Sequence, residues 1–423
     1  MDRLSSLFGL AAIIGLAWLM SSYKTRFPWR VVIGGVLLQF ALALVILKTD
    51  FGKSVFMAVD KVFVGLLSCV DAGTVFVFGE NFAEHFFAFR VLPTIIFFSA
   101  FMSIFYFYGI IQKVVGLMAV VMQKTLGTSG AETLSAAANV FVGQTEAPLV
   151  IKPYIATMTK SELNAVMIGG FATMAGGVLG ALSAMGINAG HLLAASVISA
   201  PGALLIAKVM QPEVDEPKTR GHVGVEVEDE SVNVLEAISN GTTGGLSLAL
   251  NVGAMLIVFL ALIAVVNAIF GLAGDGFWHV AEWAGQSVPE NPARWSLEGL
   301  LGWMFWPVAW LIGIETADCS AAGQLMGLKM ATNEFVAYGR LGEWTAAGAD
   351  GAPSIDVISD RTRQLMTYAL CGFANFSSIG IQLGGIGSLA PERRGDLAKL
   401  GLRAMIGGTL ASFLTACIAA ILL

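Results

Sequence analysis

The chain has 423 residues, of which 56% are hydrophobic, only 13% charged and 49 glycine, with a net charge of −6. A soluble domain needs about 25% charged residues to wet its surface, so a chain this long and this apolar (mean hydropathy +0.76) has lipid as the solvent of most of its exterior. The scattered basic residues exclude a nucleic-acid footprint. The four cysteines and four histidines lie far apart with no ligand spacing, which leaves a metal enzyme or a disulfide framework without support.

Apolar runs able to cross about 30 Å of hydrocarbon fall near residues 7–22, 31–48, 92–112, 164–185, 190–210, 246–273, 364–386 and 402–423, about eight spans by their periodicity and length. The first follows Arg3 and lacks a small-residue cleavage site, so it is read as an uncleaved helix rather than a signal peptide. Segments 62–80 and 111–123 are short or amphipathic and read as helices lying in the interface. Segments 131–151 and 297–338 are apolar but interrupted by glycine, proline and carboxylates. The basic residues Lys24, Arg26 and Arg30, then Lys113 and Lys124, then Arg393, Arg394, Lys399 and Arg403 are expected on the cytoplasmic side, which puts both chain ends outside. The polar, acidic stretch 212–229 then becomes a cytoplasmic loop. Residues 274–292, with Trp278 and Trp283, become an external interfacial segment.

Polar groups inside the membrane cost several kcal/mol unless paired or wetted, so they carry the information. The first cluster, NVFVGQTEAP (139–148), follows a small-residue helix and ends at a proline that cannot continue a helical ladder. It reads as a hairpin that enters the membrane, unwinds at its tip and leaves by the same side, which is tolerated only where it lines a cavity or is buried in protein. The second, TNEFVAY (332–338), follows the glycine-rich stretch 299–330, which also holds Glu315, Asp318 and Lys329, and reads as a hairpin entered from the other side. The third, GFANFSS (372–378), interrupts an apolar span. There Asn375 and Ser378 share a face, whereas Ser377 reads as glue between helices. Each hairpin carboxylate, Glu146 and Glu334, is followed by a broken span, 171–177 and 373–378. Inverted repeats with broken helices meeting at the midplane are the mark of secondary transporters. The fold class expected is therefore an all-α polytopic membrane protein, about eight transmembrane helices plus two opposed re-entrant hairpins and interfacial helices.

The motifs GQTEAP (143–148), NEFVAY (333–338) and GFANFSSIG (372–380), with APERR (390–394) after them, resemble those of the concentrative nucleoside transporters, in order and from about residue 90 to the carboxyl end. The number of spans is similar to the bacterial members. The resemblance implies a homotrimer in the bacterial inner membrane, in which a mobile transport domain moves past a scaffold like an elevator. Scaffold helices are expected over 1–112 and 246–273. The two transport halves are expected over 113–210 and 297–423. A cytoplasmic loop with an interfacial helix (211–245) and an external loop (274–296) complete the chain. By motif position, Gln144, Thr145, Glu146 and Val178 would face a nucleobase, while Glu334, Asn375 and Ser378, beside Phe373, would hold a ribose. A coupling Na+ would sit on Asn139, the Val142 carbonyl and Thr173, the last often serine in relatives.

The chemistry suits those roles. An ionised Glu334 can accept from vicinal hydroxyls while Asn375 donates and accepts, and Gln144 and Thr145 match the mixed edge of a base. Proton coupling through Glu146 or Glu334 is the alternative, against which the Asn139 and Thr173 oxygens favour sodium. An intramembrane enzyme would need a nucleophile with a base, and no histidine or cysteine neighbours these carboxylates in sequence. Two hairpins on one midplane site suit alternating access better than an open pore.

Overall fold

The computed structural model describes residues 2–220, 231–284, 295–344 and 358–423, and every regular element among them is helical. Residues 221–229 of the expected cytoplasmic loop and 285–294 of the expected external loop lie outside the described residues. Helices α1 (Asp2–Leu19) and α2 (Trp29–Lys48) are followed by α3 (Asp50–Phe78). Thr49 starts α3 by accepting from the Gly52 amide, as an N-cap does. The expected short helix at 62–80 is thus the second half of a continuous 29-residue one. Asp50, Lys53, Asp60 and Lys61 interrupt the apolar run in its first turns and hid its start.

From here the order of elements runs twice. The first pass is α4 (Leu92–Phe107), α5 (Ile110–Leu126), a hairpin made of α6 (Gly130–Ala138) and a 3-10 turn (Ala147–Ile151) with the one-turn α7 (Lys152–Ile155), a broken span α8 (Lys160–Ala172) and α9 (Gly176–Ala184), and an unbroken α10 (Ala189–Met210). The second is α11 (Val234–Trp283), α12 (Leu297–Ile312), a hairpin of α13 (Cys319–Ala331) and α14 (Glu334–Glu343), a broken span α15 (Asp360–Ala369) and α16 (Phe376–Leu389), and an unbroken α17 (Arg394–Leu422). Seven helices among the described residues are long and apolar enough to cross a membrane, with α8 and α9 counted as one. By the same measure α1 is a shorter apolar helix, and the span expected at 364–386 is the pair α15 and α16.

Two elements differ from expectation. The span at 246–273 belongs to a 50-residue helix, α11. It absorbs both the interfacial helix expected before it and the start of the external loop expected after it, because Asn233 caps it early and no proline interrupts it. The stretch 299–330 is two helices rather than one hairpin arm: the chain turns at Gly313 (φ +96°), and α12 lies antiparallel on α13. A Cβ on Gly323 would come within 2.6 Å of the Gly302 carbonyl oxygen.

The ends of the molecule are fixed by arginines. Arg403 donates to the carbonyls of Met20 and Met210, Arg30 to that of Lys124 and Arg393 to that of Met158, so the basic loops gather at one end as the positive-inside tendency requires. Arg361 donates to the carbonyls of Gly313 and Ala420 at the other. Arg403 and Ala420 share α17 and stand about 26 Å apart at 1.5 Å per residue. The base of the first hairpin (Ser129, Glu132) lies at the Arg403 end and that of the second (Gly313, Asp318) at the Ala420 end. The two hairpins therefore enter from opposite sides.

Helices α1 and α2 pack on α10 and α17, not on α4 and α11. Gly35 abuts Leu205, and Gln39 donates to the Ile198 carbonyl and the Thr415 hydroxyl. These contacts join the first two of the expected scaffold helices to helices of both expected transport halves. Helix α11 instead lies along α4, with Gly241 and Gly245 seated on Ser103 and Ser99.

A buried charge network that no sequence spacing announces ties the base of the first hairpin down. Glu132 pairs with Lys208 at 2.7 Å, and Lys208 also reaches Glu213 at 3.2 Å, while the Ser129 hydroxyl donates to Glu162 at 2.6 Å. Lys208→Met strands a buried carboxylate and is expected to cost about 3–5 kcal/mol, read as a lower melting temperature of the purified protein. The double variant with Glu132→Gln should recover most of it; a double variant as unstable as the single one would show that the pair itself is not the cause.

Candidate solute and cation site

The site grows from two interrupted helices that cross. The α8 ladder stops at Thr173, and the Met174 amide, left without a helical acceptor, donates to Ser196 of α10. The α15 ladder stops at Ala369, and Gly372 follows in the left-handed region (φ +95°), where a Cβ would lie 2.3 Å from the Phe171 carbonyl oxygen; only glycine suits both demands. Gly408 of α17 backs onto Phe171, and Ser412, one turn on, donates to the Cys371 carbonyl at 2.7 Å. Both breaks therefore rest on the middle of α17.

The tip of the first hairpin docks on this crossing. Its Phe141 carbonyl accepts from the Gly176 amide at 2.9 Å. Gln144 is buried and accepts from Gln382 of α16 at 3.0 Å, while the same Gln382 amide donates to the Met167 carbonyl. Thr145 packs on Gly385. Glu146 is exposed, its carboxylate folded back over Gly143, although Gln144 and Ala147 beside it are buried.

The second tip meets the same helix. Glu334, 4% exposed, accepts from Asn375 Nδ2 at 3.1 Å. Asn375 is held in that pose by capping α16, its Oδ1 accepting from the Ser378 amide at 2.9 Å and the Ser377 hydroxyl at 2.7 Å. Ser377 is thus a local partner, not glue between helices. Val178, Phe373 and Ser378 are buried. Asn375, Ser378 and Gln382 stand at i, i+3 and i+7, one stripe of α16 about 10 Å long, with Glu334 at one end and Gln144 at the other. Sequence reasoning missed Gln382, although an amide two turns beyond Asn375 in an apolar helix continues the face already identified.

Of the charged residues in the stretch before the second cluster, Glu315 is exposed, while Asp318 and Lys329 are structural. Asp318 accepts from the Ser359 amide and hydroxyl at the start of α15, and Lys329 donates to carbonyls at its end, so α13 clasps α15 with a charge of the stabilising sign at each terminus.

A second set of oxygens lies at the ends of α6 and α8. Asn139 Nδ2 donates to the Ser135 carbonyl, but its Oδ1 is buried without a hydrogen-bond partner, as is Ser135 Oγ. Asn139 Nδ2 also faces Gly169, whose carbonyl accepts from the Thr173 hydroxyl. Two helix carboxyl ends, each carrying partial negative charge, converge beside the unwound tip at Val142. Orphaned oxygens at half-helix ends are the donor set that Na+ takes in such folds, so these residues fit the ion.

A polytopic helical bundle with inverted repeats, two re-entrant hairpins and a polar site at their tips defines a secondary transporter. Comparison with known proteins specifies which. The model described as the C-terminus of Na+ dependent nucleoside transporters matches residues 191–420, the corresponding N-terminus model 8–81 and the "nucleoside recognition" model 88–188. The chain is 42% identical to human solute carrier family 28 member 3 and 43% to rat sodium/nucleoside cotransporter 1, covering 100% of this chain in both. It spans only 60% and 64% of those two relatives' lengths. An uncharacterised transporter of Haemophilus influenzae is 41% identical over 99% of this chain and 97% of its own. Among solved structures, CNTnw in an inward-facing substrate-bound state superposes with a TM-score of 0.87 at 39% identity, covering 100% and 98% of the two chains. A variant of CNTnw in an outward-facing state gives 0.88 at 38%, with the same coverage. The chain belongs to the concentrative nucleoside transporter family.

Gly372→Ala is expected to cost about 1–3 kcal/mol, the cost of forcing a methyl into a filled site, and to lower the melting temperature accordingly. Gly380→Ala is the control, since its Cβ would meet no atom within 4 Å. Equal behaviour of the two variants would show that the crossing is looser than described.

Proposed function

We propose that the protein is a sodium-coupled symporter that imports nucleosides across the bacterial inner membrane. The observation that carries this reading is the pairing of both hairpin tips with one stripe of α16, Glu334 with Asn375 and Gln144 with Gln382. Glu334, Asn375 and Ser378 would take the ribose hydroxyls, with Phe373 beside them. Gln144, Thr145 and Glu146 would take the base against Val178, and the exposed Glu146 would swing in as the tip closes. Asn375 bonds Glu334 and Gln382 bonds Gln144, while Gln382 Oε1 is buried without a partner, so a nucleoside must replace those two bonds group for group. A ligand lacking a partner leaves a buried polar group unpaired, at about 1–3 kcal/mol.

Na+ on Asn139, the Val142 carbonyl and Thr173 would fix the first tip against the α8 break, and so organise Gln144. Such coupling is reciprocal: nucleoside tightens sodium by the same factor. The names of the cotransporter relatives support this ion. An elevator motion is supported by the packing. A cavity of about 610 Å³, lined by Leu256, Leu260 and Ile263 of α11 and by Leu328, Phe335 and Val336 of the second hairpin, separates α11 from the body that would move. The apolar side chains exposed along α3 and α11 suit lipid and the neighbouring copies of a homotrimer.

Labelled uridine uptake into proteoliposomes under opposed sodium and proton gradients tests the coupling. Uptake should follow sodium, and uptake that follows protons alone establishes the alternative, a proton-coupled carrier. Asn139→Ala and Thr173→Ala should raise the half-saturating sodium concentration with little loss of maximal rate. Glu334→Gln, which removes a charge-assisted acceptor worth about 1.5–3 kcal/mol, should weaken uridine binding roughly 10- to 150-fold. Competition by free sugars stronger than by nucleosides would overturn the substrate class.

A further inference from the structure

Lys329 is buried, 2% exposed, and none of the six ion pairs found among the described residues includes it. Burying an ammonium without a counter-ion is costly unless other groups replace its water. Here they are carbonyls. Nζ donates to Cys371 O at 2.8 Å and reaches Ala369 O at 3.4 Å, at the end of α15 where the ladder breaks. Glu334, the carboxylate of the same hairpin, follows five residues on.

The position has a counterpart. In the first repeat the end of the hairpin helix α6 meets the end of the broken-span helix α8, and the oxygens there suit a cation. In the second, the end of α13 meets the end of α15, and the side chain of Lys329 already places a positive charge among the carbonyls. Ser196 of α10 serves the first break as Ser412 of α17 serves the second, so the correspondence extends to the surrounding helices.

We infer that Lys329 is a tethered cation occupying the second repeat's equivalent of the sodium seat, a positioning residue that fixes the α15–α16 break so that Asn375 meets Glu334. This rests on the proposed reading of the first seat as a sodium site and of Glu334 as the ribose acceptor. One half of the inverted repeat would then be organised by an exchangeable ion and the other by a permanent one, which confines ion-dependent ordering to the first hairpin.

Lys329→Gln keeps donors for the two carbonyls and removes the charge. In proteoliposomes its KM for uridine should rise about ten-fold or more, the scale of a lost charge-assisted bond, while the sodium-induced rise in melting temperature without nucleoside stays at the wild-type value. Lys329→Arg, which keeps the charge, should fall closer to wild type than Gln does. Lys329→Ala, which leaves room for a free ion, should regain uptake at sodium concentrations beyond those that saturate wild type. A Gln variant with wild-type KM, Gln and Arg variants equally impaired, or an Ala variant indifferent to added sodium would each overturn the inference. A wild-type protein that takes up no uridine would instead remove the reading beneath it, so the two failures are distinguishable.

Discussion

An unwound helix survives in hydrocarbon only where protein supplies the hydrogen bonds that the ladder gives up, and this chain has two such breaks at one level. Ser196 takes up the Met174 amide on the first; Ser412 and Lys329 take up the Cys371 carbonyl on the second. Gly372 and Gly408 let the two breaks and α17 approach within backbone contact. The hairpin tips can dock there because the crossing holds still. Remove those few partners and the polar groups at the tips would have nothing rigid to be aimed by.

The small residues have a related use. Helix association in lipid draws little from hydrophobic burial and relies on close packing. Glycines occur where two helices touch most closely: Gly323 on α12, Gly245 on α4, Gly35 on α10. The same material makes a tight hairpin body and a tight α4–α11 pair, while the cavity between α11 and the second hairpin leaves the two less firmly joined.

Much of this was legible in the sequence because polar residues inside apolar runs are too costly to be accidental. NVFVGQTEAP, TNEFVAY and GFANFSS marked both tips and the second break without coordinates. What stayed hidden had specific causes. Charged residues in the first turns of α3 mimicked a loop, and nothing in a hydropathy run distinguishes a 28-residue span from the middle of the 50-residue α11. Glu132 and Lys208 are far apart in sequence and meet only through the fold. Asp318 and Lys329 stood out only as charges in an apolar stretch, and only the fold shows that they bind the ends of α15. Glu146 stands exposed at its tip, since sequence shows which residues lie at a tip but not which of them the tip covers.

The bond between Gln144 and Gln382 has one more consequence. A carrier must travel back unloaded, and any amide left bare during that passage would be a toll on every cycle. With Gln144 latched to Gln382, that tip keeps its own amide oxygen paired and leaves Gln382 Oε1 as the unpartnered atom at the contact, so the same two glutamines that would grip a cargo also ease the homeward step.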